Sequence, residues 1–163
     1  MTKKVFCAFF LLALLGSWTS AHGNQPGTAK LEVSNGEIVI DYVGPELKGR
    51  DVKQMITQPG ANPWRLGADK PTTLTTPVDL HFGDGVVGAG SYVLRAYLDD
   101  EGSWWLQAYD QSRKVVGKLP LKASDSKDSM ENLQISLEGS AESARVRIHW
   151  GTQVLEGELS VAD

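Results

Sequence analysis

The sequence predicts an all-β protein, an antiparallel β-sandwich or jelly-roll-like single domain, and three observations carry that expectation. The 163 residues include 17 glycines, an awkward number for helices, since each Gly costs a helix roughly 1 kcal/mol against Ala. Apolar residues recur at every second position in several runs, which is the period of a half-buried strand. Turn signals separate these runs at short intervals, as in sandwiches and jelly rolls. With 41% hydrophobic residues, a chain of this length suits one core rather than two.

Residues 1–21 read as a signal peptide. Lys3 and Lys4 give a basic start, Val5 to Leu15 is an unbroken apolar run, and Thr19-Ser20-Ala21 offers a small-residue cleavage site. The run is too short to span a membrane, which takes about 20 apolar residues. Cleavage after Ala21 removes Cys7, the only cysteine, and two lysines. The formal charge then moves from -4 to -6, 14 basic against 20 acidic residues, a poor match for nucleic acid. The expected location is periplasmic or secreted. Cleavage would make His22 the N-terminus, and an N-terminal His joined by His81 or His149 is a known kind of copper brace. Residues 22–29 carry no apolar anchor, however, and read as a flexible tail. No metal or other cofactor is therefore expected, and the domain proper is assigned to 30–163.

Leu31–Val33 reads as a short strand and Asn35-Gly36 as a hairpin turn. Glu37–Tyr42 alternates, with Ile38, Ile40 and Tyr42 on one face. Gly44-Pro45 ends that strand. Val52–Ile56 has room for one helical turn before Pro59-Gly60 and Pro63. Pro71 and Pro77 bracket an extended, β-branched run from Thr72 to Thr76. Val78, Leu80 and Phe82 point inward, Asp79 and His81 outward. Gly83, Gly85 and Gly88 fit the G-x-G-x-x-G pattern of dinucleotide sites, but that pattern works only where a strand feeds a helix. A strand, Ser91–Leu98, follows instead, so these glycines are read as a turn.

The next hairpin sets its own register. A five-residue loop, Asp99–Ser103, puts Leu98 opposite Trp104, Ala96 opposite Leu106 and Leu94 opposite Ala108. The other face then pairs Tyr97 with Trp105, Arg95 with Gln107 and Val93 with Tyr109. A loop one residue shorter would mix the faces, and burial penalises that slip. Val115–Leu121 is an apolar segment crossed by Pro120. Lys122–Ser129 reads as a polar surface loop, Glu131–Leu137 as a strand with Leu133, Ile135 and Leu137 inward, and Gly139–Ser143 as a turn. A two-residue turn at Gly151-Thr152 pairs Ile148 with Leu155, Arg147 with Glu156 and Arg145 with Glu158.

The chain carries no H-E-x-x-H, G-x-S-x-G or P-loop motif. Its most interaction-capable stretch is the irregular segment around Trp64 and Arg65. Lys48-Gly49-Arg50, Trp64-Arg65-x-Gly67-Ala68, paired threonines, Ala89-Gly90-x-Tyr92-x-Leu94 and a Trp-bearing strand follow one another in that order. From about Ile38 to Tyr109, with a weaker echo at Arg147–Trp150, these residues resemble the bacterial exported "domain of unknown function 2911" family. The chain departs from that pattern at Asp69, where the family commonly has Asn, and at Lys70-Pro71, where it commonly has Glu-Ala. The resemblance implies no established activity.

The expected function is an exported, non-enzymatic binding or interaction module that presents a Trp/Arg loop. Its partner would be a polar ligand, a glycan or a peptide, or an envelope protein. The expected site residues are Lys48, Arg50, Trp64, Arg65, Asp69, Thr72, Arg95 and Trp105. Arg65 is expected either to be clasped by Asp69 or to face a ligand pocket beside Lys48 and Arg50. Two alternatives stand beside this reading. One is a hydrolase-like or metal-dependent enzyme using His81, Asp79 and Arg65; the other is a structural envelope domain.

Overall fold

The structure is a computed structural model that describes residues 23–162. The expected signal peptide and His22 lie outside the described residues. Among the described residues nine strands and one short helix follow in the order β1 (Gln25–Val33), β2 (Gly36–Gly44), α1 (Val52–Ile56), β3 (Thr73–Thr76), β4 (Leu80–Phe82), β5 (Gly85–Val87), β6 (Gly90–Leu98), β7 (Trp104–Tyr109), β8 (Val115–Gly139) and β9 (Ala144–Val161). The strands pair in the order β1-β2-β3-β6-β7-β8-β9-β4-β5, antiparallel throughout. The protein is all-β.

The β6–β7 hairpin has the expected register, from Leu98 opposite Trp104 to Val93 opposite Tyr109. Leu94, Ala96, Leu106 and Ala108 are buried. The hairpin loop closes on Asp99, whose Oδ1 accepts from Glu101 N at 3.0 Å and Ser103 N at 2.7 Å. Val52–Ile56 forms the single helical turn, started by Asp51, whose side chain accepts from Gln54 N at 3.0 Å.

β9 reverses direction at Gly151-Thr152. Arg147 Nε lies 3.2 Å from Glu156 Oε1, and Arg145 Nη2 lies 3.9 Å from Glu158 Oε1. Nine extended residues would span about 30 Å, so the chain must turn back between them. Gly151, at φ 58°, supplies the left-handed step. Two segments of β8 flank this hairpin. Lys122–Asp125 pair with Gln153–Glu156, and Gln134–Gly139 pair with Ala144–His149.

Three expectations are corrected. β1 begins at Gln25 rather than Leu31, so Gln25–Ala29, read as part of a tail, pair with Ile40–Gly44. The reason is backbone pairing: Gln25 to Thr28 stay partly or fully exposed and show no apolar period to the sequence. The β1–β2 turn is Ser34–Asn35, with Gly36 already paired to Val33. Lys122–Asp125, expected in a loop, are strand residues whose side chains remain exposed.

Beyond β2 the chain crosses to β8. Leu47 N donates to Glu131 O at 2.7 Å and Leu133 N to Pro45 O at 3.1 Å. This link joins distant members of the strand order and folds the sheet over a single core. Ile38, Ile40, Leu74, Leu94 and Leu106 meet Leu133, Ile148 and Leu155 there.

Gly44 sits at the crossing, and a Cβ on it would collide with the carbonyl oxygen of Leu133. Gly44→Ala should therefore destabilise the fold by about 1–3 kcal/mol, read as a lower melting temperature. Gly85→Ala, where a Cβ meets nothing within 4 Å, should melt close to wild type.

Candidate functional site

The loop between α1 and β3 has no regular structure of its own, yet it is pinned along its length. Asn62 bonds both ways to the backbone of Leu98, Nδ2 to Leu98 O at 2.7 Å and Leu98 N to Oδ1 at 3.1 Å. Trp64 N donates to Ala96 O at 2.6 Å, and Ala96 N to Trp64 O at 2.8 Å. Leu66 O accepts from the buried Thr72 hydroxyl at 2.8 Å, and Ala68 N donates to Val43 O at 2.9 Å. The loop thus adds a short strand to β6 beyond the end of β3.

That pairing decides which side chains go in and which go out. The Trp64 ring is buried and stacks on Trp150, with centroids 5.9 Å apart and planes 13° from parallel. Leu66 is wholly buried, although its backbone is left-handed at φ 56°. Such a backbone costs a branched residue about 1–2 kcal/mol, which burial of the leucine side chain offsets. Arg65, between these two anchors, is turned outward and exposed. It makes no hydrogen bond or ion pair among the described residues.

Arg65 opens onto a groove of about 390 Å³, whose lining includes Arg50, Arg95, Met55, Pro63 and both stacked tryptophans. The volume lies within the usual range of small-ligand sites, about 300–1,000 Å³. Arg50 is held on its wall by two carbonyls, Nε to Leu47 O at 2.9 Å and Nη2 to Glu46 O at 2.7 Å. Arg95 lies over the Tyr109 ring, its guanidinium carbon 5.7 Å from the centroid. Among the described residues no Asp or Glu lines this groove. Trp150 Nε1 is buried and finds no acceptor among the described residues.

Residues 24–158 match the family described as "Protein of unknown function (DUF2911)". The chain belongs to that family. No curated protein and no solved structure matches it. In this DUF2911 domain, Arg50, Trp64, Arg65 and Arg95 of the expected site residues meet at one groove. Asp69 does not clasp Arg65; its carboxylate accepts from Asn24 Nδ2 at 3.1 Å. Lys48 stays off the groove, its Nζ 3.5 Å from Glu46. Thr72 is buried and serves the loop. Trp105 belongs to the hairpin end, donating Nε1–H to Asp99 Oδ2 at 2.9 Å.

Trp150 and Met55 were missed from the sequence. Trp150 lies 86 positions from the ring it stacks on, and its only sequence signal is its place beside the Gly151 turn. The DUF2911 domain has a larger groove, about 770 Å³, that includes His81, Lys122, Arg145, Glu156 and Glu158. Its charges answer one another, as the Arg145–Glu158 pair shows. Asp79, expected as a partner of His81, instead accepts from Ala89 N at 2.8 Å. Among the described residues no cluster of His, Cys, Asp and Glu could hold a metal ion.

Trp64→Ala should cost about 3–5 kcal/mol of stability, because it empties the stack beneath the loop. Arg65→Ala should leave the melting temperature at or above that of wild type. A second expectation concerns Asp99, whose pKa is lowered by the Trp105 Nε1–H bond first and by the Ser103 N–H next. A lowered folded pKa stabilises above the ordinary carboxylate range, and the contribution is lost as pH falls through the folded value. In Trp105→Phe the Asp99 carboxyl should titrate closer to its usual range by NMR, with a smaller acid-side loss of stability.

Proposed function

We propose that this is an exported, non-enzymatic binding module that takes a polar ligand in the groove beside the Trp64–Arg65 loop. The observation that carries the reading is the state of Arg65. A fully ionised side chain with strong hydrogen-bonding capacity is held at a groove mouth by buried neighbours on both sides and has no partner among the described residues. Arginine used as a structural clasp would sit against a carboxylate, and the nearest in sequence, Asp69, is bonded elsewhere. Fixed polar groups beside apolar walls are the usual make-up of a ligand site.

The enzyme alternative receives less support. It requires His81, Asp79 and Arg65 at one cavity, whereas His81 and Arg65 line different grooves. One oxygen of the Asp79 carboxylate is engaged by the Ala89 N–H.

A block of the groove tests this. Ala61, partly buried in its lining, is replaced by Trp, and wild type and variant are screened against a glycan array and a peptide array. Binding by wild type that Ala61→Trp abolishes at unchanged melting temperature is the expected result. Equal binding by both proteins would place the ligand elsewhere.

A further inference from the structure

We propose that Arg65 and Arg95 form a two-arginine clamp for the oxyanion of an acidic saccharide, an inference that rests on the binding reading above and specifies its ligand. The argument begins with register. Trp64 and Ala96 exchange two backbone hydrogen bonds in an antiparallel bridge, so the next position along places Arg65 opposite Arg95. Trp64 and Ala96 both face inward, and the arginines beside them both face outward, where both line the groove. Side chains directly opposite on neighbouring strands have Cβ atoms about 4.5–5.5 Å apart, and like charges there repel.

Several features make this repulsion informative. Among the described residues neither arginine has a carboxylate partner and no acid lines the groove. Elsewhere in the protein arginines on paired strands face acids, as in the Arg147–Glu156 and Arg145–Glu158 pairs. Arg50 adds a third cation to the groove, aimed by two carbonyls. Guanidinium planes pair with carboxylate, sulfate or phosphate oxygens through two parallel hydrogen bonds each. An oxyanion between Arg65 and Arg95 would turn a repulsive pair into two attractive ones.

The rest of the ligand follows from the walls. Pro63 and Met55, partly exposed over the buried tryptophans, give an apolar wall against which the C–H face of a sugar ring packs. A peptide binding as an added strand needs a free backbone edge. Here the edge of β6 is filled by Asn62 and Trp64. The occupant favoured is therefore a compact acidic ring.

The test is calorimetric titration of the protein with trigalacturonate, with its neutral methyl ester, with sodium sulfate and with hexaglutamate, at low and high ionic strength. The clamp predicts that trigalacturonate binds at least tenfold more tightly than its ester. Arg65→Gln and Arg95→Gln should each remove at least tenfold, and added salt should weaken binding. Sulfate should compete weakly, as the oxyanion without its ring. Arg65→Gln should also raise the melting temperature of the ligand-free protein at low salt, and the rise should shrink in high salt. Equal binding of acid and ester, blocked by Ala61→Trp, would overturn the clamp while leaving the binding module intact. Tighter binding of hexaglutamate than of trigalacturonate would overturn the saccharide assignment. No binding of trigalacturonate, together with a lower melting temperature for Arg65→Gln, would overturn the clamp outright.

Discussion

Trp64 exchanges two backbone hydrogen bonds with Ala96, and its ring lies against that of Trp150. Each contact alone is modest, about 0.5–1.5 kcal/mol for a hydrogen bond and a similar amount for an aromatic pair beyond its buried area. Together they join three parts of the chain that are far apart in sequence: the loop, β6 and the hairpin within β9. They also fix the phase of the loop, since an inward Trp64 on a strand-like segment forces Arg65 outward. Without that phase the groove would have neither its arginine nor its floor.

Much of the sheet was legible because burial has a period. The β6–β7 register could be derived from Leu94, Ala96, Leu106 and Ala108 alone, since any slip would bury Tyr97 or Trp105 against the wrong face. The turn at Gly151 and the Arg147–Glu156 pairing were readable for the same reason, with charge complementarity agreeing with apolar pairing. α1 was bounded by prolines and glycines. Less legible were the segments whose order comes chiefly from backbone pairing. Gln25–Thr28 and Lys122–Asp125 keep their side chains partly or fully exposed, and their strand pairing runs through backbone groups that carry no apolar period. A sequence marks such strands only through their partners.

The candidate site was half legible. Trp64 and Arg65 stood out as chemistry in an irregular segment, and Arg50 and Arg95 as basic residues on either side of it in the chain. What joins them is the isolated bridge to Ala96 and the crossing of the chain from β2 to β8, which brings Arg50 round to the same groove. Neither leaves a local pattern. Asp69 misled because sequence proximity suggested a clasp for Arg65. The left-handed backbone at Leu66 and again at Asp69 separates them, and Asn24 from β1's approach meets the carboxylate instead.

The kink at Leu66 shows which part of this arrangement geometry demands. The edge of β6 is shared by two segments: β3 occupies it from Gly90 to Val93, and the loop occupies it at Ala96 and Leu98. Thr72 O already accepts from Leu94 N, so a loop that ran straight past Arg65 would collide with the start of β3. The chain must leave the edge after Arg65, and the left-handed step at Leu66 takes it towards Val43. A residue at position 65 facing position 95 is therefore a consequence of the topology. That both are arginine is not. Any polar pair would satisfy the same backbone, and an acid at either position would contribute roughly 0.2–1 kcal/mol where two cations detract. Departures from local stability of this kind are expected where a site serves something other than the fold.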